Sequence, residues 1–150
     1  MMDILTIVIY VITIGATVLA AYSDIKRRTI PLFAFLIATI IITLIRIFEH
    51  NEMLTYMVSG VLYFFILMIG VLVFNIGGGD AIFFGFVGYA FGAQPMVIII
   101  GIVAVVMICH CILRAIKHKS LHTTVPLVPY VLIGEIGYLI FHCVQLICTK

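Results

Sequence analysis

The sequence predicts an all-α membrane protein: a polytopic bundle of about six transmembrane helices, formed by a single domain over residues 1–150. Of the 150 residues, 65% are hydrophobic and only 9% are charged, whereas a soluble domain is about 45–50% apolar and about 25% charged. The apolar residues also fall into long uncharged stretches, which are typical of helices that cross a bilayer. This composition excludes a soluble globular protein, a disordered or collagen-like chain and a nucleic-acid-binding module. We therefore expect the lipid bilayer to surround most of the surface.

Four of the apolar stretches each predict one helix, since a membrane-spanning helix needs about 20 apolar residues. The first stretch ends before Asp24, and the second ends where the chain meets Arg46. The third runs into three consecutive glycines, and the last carries one charge, Glu135. The predicted helices cover residues 4–23, 30–48, 54–75 and 125–147.

The stretch over residues 81–113 is too long for one helix across the membrane. As a single helix it would be about 50 Å long, well over the hydrocarbon core of about 30 Å. Gly92-Ala93-Gln94-Pro95 interrupts it with residues that break helices. The stretch is also short for two full membrane-spanning helices and a turn. Two helices, over residues 80–92 and 95–113, place the basic loops after the first and fifth helices on the same side of the membrane, as short basic loops prefer. We therefore predict two helices here, of which the fourth in the bundle is short.

The basic residues predict the orientation. One cluster follows the first helix and another follows the fifth, and six helices place both clusters on the same side of the membrane. Short loops rich in Lys and Arg remain in the cytoplasm, so we expect both termini outside. The residues of the two clusters are Lys26, Arg27, Arg28, Arg114, Lys117 and Lys119.

Two aspartates fall on this predicted cytoplasmic side, Asp24 at the end of the first helix and Asp80 at the start of the fourth. Two carboxylates that meet across a helix interface share a proton and titrate as a pair, which is the arrangement of aspartic proteases. Two simpler interpretations remain open. Asp24 would then be a solvated residue that balances the basic cluster, and Asp80 would be a helix N-cap.

Gly77, Gly78 and Gly79 directly precede Asp80. Glycine weakens a helix by about 1 kcal/mol per residue, and irregular backbone at membrane depth is tolerated where it lines protein or a water-filled cavity. The three glycines thus favour a water-accessible niche with room for an extended peptide. The alternative is a plain end to the third helix.

Three motifs together resemble the type IV prepilin peptidases, in the short form of Tad/Flp pilus systems and archaea. They are Gly77-Gly78-Gly79-Asp80, which is a GxGD motif; Asp24 followed by Ile30-Pro31; and Val125-Pro126-Leu127-Val128-Pro129-Tyr130. The resemblance implies an aspartic endopeptidase with Asp24 and Asp80 as catalytic residues, acting on prepilin-like proteins with a short basic leader. It implies no metal, no cofactor and no methyltransferase activity. It also implies that substrate binding or site shape depends on Gly77, Gly78, Gly79, Ile30, Pro31, Pro126 and Pro129.

The sequence departs from this family at two positions. Leu32 stands where the family usually has Asn, and Ile82 stands where it often has Lys. Both changes remove polar groups near the predicted site, so they bear on substrate handling more than on catalysis. A catalytically silent relative is therefore one alternative.

Glu135 lies in the middle of the last predicted helix. A charged Glu there is costly, so we expect it to be protonated or hydrogen-bonded inside the bundle, in a structural role. The alternative function is a small polytopic transporter or scaffold in which Glu135 handles a proton or an ion.

Overall fold

The computed structural model describes residues 4–27, 29, 31–49, 53–74, 77–118 and 127–148. Within these residues the chain is all-helical, which confirms the predicted fold class. The six helices are α1 (Ile4–Arg27), α2 (Leu32–Glu49), α3 (Met53–Phe74), α4 (Gly78–Phe91), α5 (Ala93–His118) and α6 (Val128–Cys148).

Four of the six helices are long and apolar enough to cross a membrane, namely α1, α3, α5 and α6. The apolar part of α2 is slightly shorter, and α4 has 14 residues, which makes it about 21 Å long. The prediction of a short fourth helix is confirmed. The predicted ends differ by a few residues, because α1 and α5 each continue for about one more turn and α6 begins three residues later than expected.

The short helix α4 lies at the centre of the bundle. It packs against α3, α2, α5 and α1, while α6 packs against α1 and α5. Aromatic rings make some of the contacts of α4. Phe91 of α4 stacks on Tyr10 of α1 with ring centroids 4.6 Å apart and meets Tyr138 of α6 edge-on at 5.9 Å. Phe35 of α2 packs on Phe83 and Phe86 of α4.

Small residues allow α3 and α4 to approach closely. A methyl group on Gly60 would lie 2.8 Å from Tyr89 Cβ, and one on Gly88 would lie 2.8 Å from Tyr63 Cδ2. Gly92 ends α4 with φ of 87°, a conformation that favours glycine. Its N–H donates to the Gly88 carbonyl at 2.9 Å. The predicted break between the fourth and fifth helices therefore occurs at this single residue.

Candidate active site

Asp24 lies in the last turn of α1, on the side that packs into the bundle. The buried residues Thr17, Ala20 and Ala21 precede it at helical spacing, and because side chains three, four and seven positions apart share a helix face, the Asp24 side chain continues this stripe. Asp24 is partly buried. The small side chains before it let other helices approach this end of α1.

The Asp24 carboxylate contacts the first residue of α6. The backbone N–H of Val128 donates a hydrogen bond to Asp24 Oδ2 at 3.3 Å. The first N–H groups of a helix have no partner within the helix. Here Pro129 has no N–H to donate, and the N–H of Tyr130 donates to the carbonyl of Leu127 at 3.0 Å. Asp24 thus accepts the hydrogen bond of the Val128 N–H and caps α6 although it belongs to another helix.

Asp80 occupies the first turn of α4, directly after the glycines. Gly77 precedes the helix in an extended conformation, and its carbonyl accepts the Asp80 N–H at 2.9 Å. The Asp80 carboxyl folds back over this turn, since a methyl group on Gly77 would lie 3.3 Å from Asp80 Oδ2. A methyl group on Gly78 would meet nothing within 4 Å. Within the described residues, no side chain therefore covers Gly78 at this helix end.

The two aspartates lie near each other at one end of the bundle. Helices α1 and α4 pack together, and the negative charge of Asp24 acts on the partly buried Asp80 carboxyl. Each carboxylate also lies at a helix N-terminus, Asp24 at α6 and Asp80 at α4, where the positive end of the helix dipole stabilises negative charge by about 0.3–1 kcal/mol. Asp24 and Asp80 therefore lie at the same end of the bundle, and within the described residues neither forms an ion pair with a cationic side chain.

The C-terminal part of α5 lies at this same end. The His110 ring meets the ring of Tyr130 edge-on at 5.6 Å, and the Arg114 guanidinium acts electrostatically on the Tyr130 hydroxyl. Tyr130 belongs to the first turn of α6, which carries the N–H that Asp24 binds. Arg114 is thus on the same end of the bundle as Lys26 and Arg27, as the alternating helix directions predicted.

The other predicted site residues are placed as follows. Gly77, Gly78 and Gly79 lie beside Asp80, and Pro129 lies in the first turn of α6. Pro31 precedes α2, where its carbonyl accepts the Ala34 N–H at 3.0 Å. Ile30 and Pro126 lie outside the described residues. Sequence reasoning missed Val128, because its contribution is a backbone N–H. The only signal for it was the neighbouring proline pattern.

An open apolar groove of about 940 Å³ lies between α2 and α3, with α4 as its floor. Leu32 and Ile82, the two departures from the family pattern, both line it. The groove follows the α4 residues Ile82, Gly85, Phe86 and Tyr89. On a helix with 3.6 residues per turn, Asp80 points to the opposite side of α4. The aspartate pair and the groove are therefore separate features of the same helix.

Comparison with known families bears on this arrangement of two aspartates. The model of the type IV leader peptidase family matches residues 10–114. The chain belongs to this family. No curated protein and no solved structure is significantly similar to it. The match to the leader peptidases includes Asp24, Asp80 and the three glycines, and it ends in α5. Helix α6, which supplies the N–H that Asp24 binds, lies beyond the matched region.

Proposed function

We propose that this leader peptidase is an intramembrane aspartic endopeptidase. Its substrates would be type IV prepilin-like proteins of the Flp/Tad kind, from which it removes the short basic leader at the cytoplasmic face of the cell membrane. The observation that carries this proposal is the proximity of Asp24 and Asp80. They come from helices far apart in sequence that pack together in opposite directions, since Tyr10 near the start of α1 stacks on Phe91 at the end of α4. This packing places both carboxyls at one end of the bundle.

In the proposed reaction, Asp24 is the base and Asp80 is the acid. Asp80 is partly buried, and burial favours the neutral form of a carboxyl, so we assign the proton of the pair to Asp80. Ionised Asp24 takes a proton from water as the water oxygen attacks the peptide carbonyl carbon, and Asp80 donates its proton to the carbonyl oxygen. The tetrahedral intermediate then collapses and the C–N bond breaks. The proton held by Asp24 goes to the leaving amine, and one hydroxyl proton of the intermediate returns to Asp80 as the C=O bond re-forms.

The glycines would admit the substrate backbone. Gly77 and Gly78 are exposed, and within the described residues nothing lies within 4 Å of a methyl group placed on Gly78, which leaves space there for an extended peptide that approaches Asp80. The substrate would present its apolar helix to the bilayer and its leader to the cytoplasm. The positive charges of Lys26, Arg27 and Arg114 at this end of the bundle support the cytoplasmic assignment, because such residues remain inside.

The test is cleavage of a purified Flp-type prepilin by the protein in liposomes, followed by mass spectrometry of the mature N-terminus. We expect cleavage by the wild type and by Asp3→Asn. Asp3 is the third residue of the sequence, and because both termini are expected outside, it would lie on the other side of the membrane. Asp24→Asn and Asp80→Asn should each abolish cleavage while the protein remains folded. Cleavage at the wild-type rate by either of these two variants would contradict the aspartic mechanism.

The alternative of a proton or ion carrier rests on Glu135. Glu135 is fully buried, accepts a hydrogen bond from Thr17 and has one oxygen without a partner in the described part of the chain. Replacement by Gln removes the ionisable group and keeps an acceptor. If Glu135→Gln retains cleavage, an ionisable group at this position is not required for the proposed activity.

A further inference from the structure

Two hydrogen bonds join α1 to α6 at matching positions. Asp24 accepts from the Val128 N–H at 3.3 Å, and the Thr17 hydroxyl donates to Glu135 Oε1 at 2.9 Å. Seven residues separate Thr17 from Asp24 on α1, and seven separate Val128 from Glu135 on α6. Seven residues are about two helical turns, or about 10.5 Å. The two bonds therefore define one register between helices that run in opposite directions.

The two bonds differ in strength. The Asp24–Val128 bond is long for an N–H···O bond, whose usual range is about 2.7–3.2 Å, and Asp24 is only partly buried. Thr17 and Glu135 are each 0% exposed. A buried polar group that is left without its partner is destabilising, because its hydration is not restored. The Thr17–Glu135 bond therefore resists axial sliding of α1 along α6 more strongly than the Asp24–Val128 bond does.

We propose that the Thr17–Glu135 bond fixes the axial register of α1 against α6 and thereby positions the Asp24 carboxylate beside Asp80. Thr17 and Glu135 are positioning residues, and the proposal rests on the proposed function only for its effect on cleavage. A slide of α1 by one turn moves Asp24 by about 5.4 Å and removes it from the α6 N-terminus. Smaller displacements also matter, because a misplacement of about 1 Å at a reacting group can lower a rate about 100-fold.

The chain offers a matched control on the same helix. Thr13 is also fully buried, but its hydroxyl donates to the Ile9 carbonyl of its own helix at 2.8 Å. Thr13→Val and Thr17→Val thus each remove a buried hydroxyl from α1, at positions one helical turn apart. Only Thr17→Val removes a bond to α6.

The first test measures cleavage kinetics. We expect Thr17→Val and Glu135→Leu to lower kcat about 10–100-fold with KM little changed, and the double variant to be no slower than the slower single one. Thr17→Ser keeps the donor and Glu135→Gln keeps the acceptor, so both should retain most of the wild-type kcat, as should Thr13→Val. A wild-type kcat for Thr17→Val and Glu135→Leu would overturn the proposal.

The second test measures register without activity. Spin labels on the exposed residues Ile25 of α1 and Ile133 of α6, in a variant with all four cysteines changed to Ser, report the distance between the helices by pulsed electron resonance in liposomes. Thr17→Val should shift or broaden that distance, whereas Thr13→Val should not. An unchanged distance in Thr17→Val overturns the register proposal even if no prepilin is cleaved. A shifted distance without cleavage in the wild type supports the register and contradicts the proposed function instead.

Discussion

Arg46 of α2 donates a hydrogen bond to the backbone carbonyl of Ala90, in the last turn of α4, at 2.7 Å. The last carbonyls of a helix have no partner within it, and a cation there also interacts favourably with the helix dipole. The Arg46 guanidinium carbon lies 3.3 Å from the ring centroid of Tyr56 on α3, and the side chain is only 4% exposed. Arg46 thus closes the end of α4 that lies opposite the aspartates.

We predict that Arg46→Leu destabilises the fold by about 2–4 kcal/mol, because it leaves the Ala90 carbonyl without this donor and removes a desolvated cation–π contact. Unfolding in detergent, followed by circular dichroism, measures the loss. Arg27→Leu removes an exposed arginine and should change stability by less than about 0.5 kcal/mol. Equal stability of the two variants would show that the buried contacts of Arg46 contribute little.

The contact of α3 with α4 gives a second prediction. A methyl group on Gly60 would lie 2.8 Å from Tyr89 Cβ and 3.0 Å from the Gly85 carbonyl, so Gly60→Ala should force the helices apart at a cost of about 1–3 kcal/mol. Gly101→Ala is the control, because nothing lies within 4 Å of that position in α5 and alanine favours a helix by about 1 kcal/mol. The melting temperatures should move in opposite directions. A fall of equal size in both would mean that the contact is not the cause.

The features of the fold that depend on charge and hydropathy along the chain could be predicted from the sequence. Uncharged stretches indicated six helices, the Gly92 break divided the longest one, and the basic clusters placed Asp24 and Asp80 on one side. In the sequence, Arg46 marks only the end of an uncharged stretch. Its burial depends on α4 ending beside Tyr56, which is a property of the packed bundle. The sequence predicted that Glu135 is protonated or hydrogen-bonded inside the bundle, and Thr17 does donate a hydrogen bond to it. The partner could not be predicted, because a threonine in an apolar stretch gives no sign of a contact with a distant helix.

The cap that Asp24 forms on α6 predicts different stabilities for two variants that both lose the charge. Asp24→Asn keeps a carbonyl oxygen that accepts the Val128 N–H, and Asp24→Ala does not. We expect Asp24→Ala to be less stable than Asp24→Asn by about 0.5–2 kcal/mol, as for other helix N-caps. Because neither side chain is charged, the difference isolates the hydrogen bond from the repulsion between the aspartates. Equal unfolding free energies would contradict the capping role.

The glycines before Asp80 predict two separable effects on cleavage. A methyl group on Gly77 would lie 3.3 Å from Asp80 Oδ2, so Gly77→Ala should displace the carboxyl and lower kcat about 10-fold. A methyl group on Gly78 would meet none of the described residues within 4 Å but would occupy the space proposed for the substrate backbone. Gly78→Ala should therefore raise KM while the unfolding free energy changes by about 1 kcal/mol or less. Steady-state kinetics on one prepilin, with both variants and the wild type in the same liposomes, separates the two. If Gly78→Ala binds and cleaves like the wild type, the peptide does not pass over the N-terminus of α4, and the open space above Gly78 is not part of the site.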